Sequence, residues 1–155
     1  MAAAKRSWKA GRGALGPLKP LLGAWTSEPA DPGPASATRC TRRFETALGG
    51  AYVRLDAHWD LGPGKSYEEI ALFGKDAGGG LAFSSFTSDG KQSRGVQADG
   101  SDVHPEAIAF EAQMPAGLAR MIYWPDESGE GWYFAVENKT KKGWNRFFRH
   151  RYSAP

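Results

Sequence analysis

Cysteine is almost missing from this chain: 155 residues contain one, Cys40. A lone thiol excludes an intramolecular disulfide framework and a cysteine-rich zinc site. Its neighbours Arg39, Thr41, Arg42 and Arg43 offer no general base, so Cys40 reads as an inert strand thiol suited to a reducing compartment. No run approaches the 18 apolar residues of a membrane-crossing helix. Histidine is scarce, and His58, His104 and His150 are too far apart to form a metal-ligand motif, so no metal is expected. No G-x-S-x-G elbow occurs, which disfavours a hydrolase of that type. Gly78-Gly79-Gly80 is followed by no G-K-[ST] and no helix, so it reads as a turn and not a phosphate loop. The first residues lack the apolar core of a secretory signal, and a cytoplasmic location is expected.

Acidic residues are absent from both ends. Residues 1–19 carry five Lys/Arg and residues 139–155 carry six, leaving nine between them against all 17 Asp/Glu. The basic balance therefore comes from the ends, while the body is acidic. A nucleic-acid-binding domain normally carries a basic face across its body, so no nucleic-acid partner is expected. The closing stretch K-T-K-K-G-W-N-R-F-F-R-H-R-Y mixes basic and aromatic residues as a single-strand platform does, but a barrel core accounts better for its aromatics. Residues 1–14 are expected to form a flexible basic tail, and 15–155 a single domain.

What the chain has in abundance is turns and rings: 20 Gly, 10 Pro, 6 Trp, 5 Tyr and 8 Phe. LGPLKPLL, residues 15–22, predicts a short helical turn limited by Pro17 and Pro20. A strand opens at Gly23-Ala24-Trp25, and residues 28–35 form a loop. Further strands are predicted over 37–48, 51–60, 66–75, 81–87, 92–98, 107–113, 118–124, 132–138 and 143–152. In 51–60 the alternation is clean: Val53, Leu55, Ala57 and Trp59 on one face, Arg54, Asp56 and His58 on the other. Asp89-Gly90 is a strong hairpin turn. The connections are too short for crossover helices, so neighbours must be antiparallel. About ten such strands predict an all-β, antiparallel up-and-down barrel, since closure removes both exposed edges.

The helical lead-in, the Gly23-Ala24-Trp25 opening and a last strand rich in Arg and rings resemble the calycin group, which includes lipocalins, fatty-acid-binding proteins and nitrobindin-type barrels. The likeness covers residues 15–153 and is closest to bacterial lipocalin-like domains, whose first strand reads L-x-G-x-W. It implies that Trp25 closes one barrel end against a basic residue of the last strand, Arg149 or Arg151. The likeness to nitrobindin-type barrels implies haem held by one histidine near the last strand, which would be His150, although Thr26-Ser27-Glu28 replaces the Gly-x-Gly that follows the tryptophan there.

On the last strand Trp144, Arg146, Phe148, His150 and Tyr152 share one parity and are expected to point inward. Glu69 shares a face with Tyr67 and Phe73 and is expected inward, Glu68 outward. A barrel this wide can hold a wet cavity. Its expected walls are Val53, Leu55, Trp59, Phe110, Phe134 and Phe148, and its expected polar anchors Arg120, Tyr123, Arg146 and Glu69. The function expected is intracellular binding of a small hydrophobic or amphipathic molecule, by a monomer or homodimer, with no cofactor and no membrane partner. No catalytic residue is assigned. The alternatives are a haem protein with His150 as axial ligand, and a small-molecule enzyme using an inward Glu/Arg/His set.

Overall fold

The structure is a computed structural model that describes residues 8–30 and 39–155. A 3₁₀ helix, Gly16–Leu21, leads into ten strands: β1 (Gly23–Pro29), β2 (Arg39–Ala47), β3 (Tyr52–Gly62), β4 (Lys65–Lys75), β5 (Leu81–Thr87), β6 (Gln92–Ala98), β7 (Ile108–Met114), β8 (Gly117–Pro125), β9 (Trp132–Thr140) and β10 (Gly143–Ser153). Each strand pairs antiparallel with the next, and β1 pairs with β10, from Thr26 opposite Ser153 to Pro29 opposite His150. The sheet is thus a closed up-and-down barrel in which every strand has a partner on both sides.

The period-2 patterns create this shape. In β2 the residues Cys40, Arg42 and Phe44 are buried while Arg39, Thr41 and Arg43 are exposed. In β3 the buried set is Val53, Leu55 and Ala57. Inward aromatics interlock edge to face, as ring quadrupoles prefer: Phe73, Phe83 and Phe110 lie 5.3–5.5 Å apart, centroid to centroid. Where two large rings would collide, the chain uses glycine. Gly95 stands opposite Phe83, and a Cβ there would fall 2.2 Å from the Phe83 ring.

One end of the barrel is plugged. Pro17 starts the 3₁₀ helix and Pro20 helps keep it to six residues, while Leu18 and Leu21 are fully buried beneath the sheet. Trp25 donates its indole N–H to the Leu21 carbonyl at 2.6 Å and packs edge-on against Trp132 at 5.3 Å. Trp132 stacks on Tyr152 at 4.5 Å. Trp25, Phe44, Trp132 and Tyr152 together make an aromatic floor. Trp8 also packs against this core, so the part of the expected 1–14 tail from residue 8 onward is placed on the barrel. Residues 1–7 lie outside the described residues, as does 31–38, which takes most of the expected 28–35 loop and the first two positions of the expected 37–48 strand.

A second, smaller core lies outside the barrel wall. The β6–β7 connection, residues 99–107, folds over the outer faces of β7, β8 and β9, and Val103 and Ala107 pack on Ala109, Ile122, Trp124 and Ala135. A barrel wall that is apolar on both faces at this place is explained by that cover.

Candidate functional site

Above the aromatic floor the barrel is hollow. The cavity is about 810 Å³, within the range of small-molecule sites. Leu55, Trp59, Phe73, Phe110, Phe134 and Phe148 form much of its wall. It reaches solvent at the end opposite the plug, where the lining residues Leu61 and Phe147 are 51% and 67% exposed. The hairpin turns at this end join β3 to β4, β5 to β6, β7 to β8 and β9 to β10.

Tyr67, Thr87, Lys91, Gln92, Ser93 and Gln113 line the cavity in or next to the open-end turns, and four further polar groups line it elsewhere: Glu69, Ser85, Tyr123 and Arg42. Glu69 projects from β4 and accepts a hydrogen bond from the Ser85 hydroxyl of β5 at 2.5 Å. Tyr123 projects from β8, and Arg42 reaches it from β2: the Arg42 Nη1 donates to the Tyr123 phenol oxygen at 2.9 Å. The Arg42 guanidinium lies 4.0 Å from the centre of the Phe134 ring, with Trp59, Tyr123 and Tyr152 at 5.7–5.9 Å. Arg42 is 3% exposed and lines the cavity. Burial pushes the Tyr123 phenol up to about 12, against the pull of the Arg42 charge beside it, so it is a neutral hydrogen-bond donor throughout the physiological range.

The expected wall residues Trp59, Phe110, Phe134 and Phe148 all line this cavity, as do Tyr123 and Glu69. Glu68 points out to His58 at 3.4 Å. Five expected positions differ. Val53 is buried in the core and does not line the cavity, and Trp144 is on the outer face, against Arg120. Arg120 is on the outer face, because it lies three positions before inward Tyr123 and a strand alternates every residue. It is buried there under residues 99–107, bonded to both oxygens of Asp102 at 2.8 and 3.0 Å and to Glu137 at 2.6 Å, with Trp144 packed over it at 4.5 Å. Arg146 is also outside. A β-bulge between Arg146 and Phe148 breaks the register of β10 against β9, and the extra residue reverses the side-chain parity. Phe148, His150 and Tyr152 therefore pack with the inward rings, whereas Arg146 contacts Glu137 at 3.3 Å and the Trp124 ring. Arg149 lies over Tyr133, 4.9 Å from its ring centre, rather than on Trp25, whose indole is bonded to Leu21.

His150 is fully buried, walled in by Trp59, Phe148 and Tyr152 at 5.1–6.5 Å, and is not among the cavity-lining residues. Iron binds an imidazole through a ring nitrogen in its plane, and His150 has no exposed surface and does not line the cavity, so these residues do not fit a haem. Among the described residues, no group of three or more His, Cys, Asp or Glu is placed to hold a metal ion, and no helix is long and apolar enough to cross a membrane.

The residue that sequence reading missed is Arg42. It occupies a core position, two residues from Cys40 and two from Phe44. A charged residue at an apolar phase of a strand was the available signal. Compared with known proteins, the chain matches no protein-family model and no curated protein.

Proposed function

We propose that the barrel is a binding protein of lipocalin-like type, which takes a small, partly apolar molecule into its cavity. The observation that carries this reading is the cavity itself: about 810 Å³ inside a closed barrel, walled mostly by apolar and aromatic side chains and open at one end. Burying about 250 Å² of apolar ligand surface there contributes ~6 kcal/mol before the costs of association. Arg42, Tyr123, Glu69 and Ser85 supply the few polar contacts that orient such a guest.

The test is titration with the neutral fluorophore N-phenyl-1-naphthylamine. A rise in its emission at one-to-one stoichiometry is expected, together with quenching of tryptophan fluorescence through Trp59. Ala119 lines the cavity, and Ala119→Trp fills it, so this variant should lose the signal while keeping its fold by circular dichroism. Wild-type protein that does not bind, or a filled variant that binds as well, overturns the reading.

A further inference from the structure

The interior contains a cation that no carboxylate touches among the described residues; Glu69 acts on it only from a distance. Arg42 and Arg120 are both almost completely buried, at 3% and 2% exposure. They are treated very differently. Arg120 has Asp102 at 2.8 Å and Glu137 at 2.6 Å. Among the described residues no carboxylate comes within ion-pair distance of Arg42, whose one direct hydrogen bond is to a neutral phenol. Its Nε is buried with no hydrogen-bond partner. A guanidinium does not shed its proton in a protein, and an uncompensated buried charge is costly. The surrounding rings soften that cost through their faces, and Tyr123 and Tyr152 offer it phenol oxygens, but these are neutral and none supplies a negative charge.

Tyr123 adds a second unmet donor. Its oxygen already accepts from Arg42, so its own O–H points elsewhere, and no acceptor for that proton stands among the described residues. Two donors meet at the lower end of the cavity, just above the aromatic floor, facing space and not a protein acceptor. Glu69 is the one carboxylate on the cavity wall and is engaged by Ser85.

Resting on the binding reading above, we propose that the guest is an amphipathic anion. A single carboxylate head, or an oxyanion of similar size, sits against Arg42 and the Tyr123 hydroxyl, and the apolar body extends past Trp59, Phe110 and Phe148 toward the open end. The head completes the ion pair that the chain leaves open. The direction follows from the walls: the buried cation, Arg42, is at the closed end, while the cation at the mouth, Lys91, is exposed to solvent beside Asp89 and the exposed ring of Phe147 stands there too.

The experiment compares decanoate with 1-decanol, which share a chain and differ in the head, by calorimetry and by displacement of N-phenyl-1-naphthylamine. Wild-type protein should bind decanoate at least tenfold tighter than decanol. Arg42→Met should abolish that preference and keep decanol binding. Tyr123→Phe should weaken decanoate about fivefold and leave decanol unchanged. Glu69→Gln removes the competing interior charge and should tighten decanoate severalfold. Decanoate that binds no tighter than decanol to the wild-type protein overturns the proposal whether or not the variants fold. If decanol and the neutral fluorophore bind in that case, the cavity stands and only its anionic guest is lost. If nothing binds, both fall.

Discussion

Arg42 and Tyr123 stand 81 positions apart in the chain and share a 2.9 Å hydrogen bond inside the barrel. The bond ties β2 to β8 across the cavity, where the sheet itself makes no connection between those strands. Burial of the phenol, against the pull of that bond, gives Tyr123 a part in the alkaline behaviour of the protein. The Tyr123 pKa is pushed up to about 12 by burial, whereas a phenol in the unfolded chain titrates near 10. Above pH ~10 the unfolded chain has lost a proton that the folded one keeps, so stability falls as pH rises through that window. We expect a loss of ~2 kcal/mol from this group between pH 10 and pH 12. Urea melts across that range should show a steep alkaline limb in the wild type and a flatter one in Tyr123→Phe. Equal slopes would count against the burial of the phenol.

Asp126 controls the acid side. Its carboxylate is enclosed in the β8–β9 turn, accepting from the Ser128 hydroxyl at 2.7 Å, the Gly129 amide at 2.9 Å and Arg151 Nε at 2.9 Å. Burial alone would raise its pKa, but Ser128, Gly131 and Arg151 together hold it below the ordinary value. The stability it contributes is present above the unfolded carboxyl pKa and disappears as pH falls below it. Asp126→Asn should cost ~2 kcal/mol at pH 7 and make the acid limb below pH 4 shallower. A variant as stable as wild type at neutral pH would disprove this account.

Glu137 holds the outer network together. It is buried between Arg120 and Arg146, at 2.6 and 3.3 Å. Glu137→Ala leaves Arg120 buried with Asp102 alone, and we expect a loss of ~3 kcal/mol. Because this cluster is on the far side of the wall from the cavity, binding of N-phenyl-1-naphthylamine by the folded variant should be unchanged. A changed affinity without a change in fold would show that the outer face reports to the inner one.

Gly95 links packing to cavity volume. Its missing side chain is where the Phe83 ring rests. Gly95→Val must push that ring toward the cavity it lines, at a cost of about 1–3 kcal/mol from overpacking. Thermal melts should show the loss, and guests with bulky bodies should bind more weakly than slim ones in this variant.

Alternation and turn chemistry were enough to identify strands, their antiparallel pairing and the inward faces of β3, β4 and β7, because these depend on neighbours in the chain. Trp59, Glu69, Phe110 and Phe134 could be placed for that reason. The same rule, applied strictly, separates Arg120 from Tyr123, and it marks Arg42 as a charge in a core phase. Arg146 was beyond its reach. The bulge after it shifts parity by one residue, and no residue between Arg146 and Phe148 announces the shift.

Local sequence thus determined the strands and most of their faces, since side-chain alternation and turn preferences act over a few residues. Tertiary structure alone decided the rest. The pairing of β1 with β10 closes the wall, residues 99–107 bury Arg120 on the outside, and the meeting of β2 with β8 leaves a guanidinium that no carboxylate touches among the described residues. Each of these depends on distance in space between parts of the chain that are far apart in sequence, and local propensity carries no record of it.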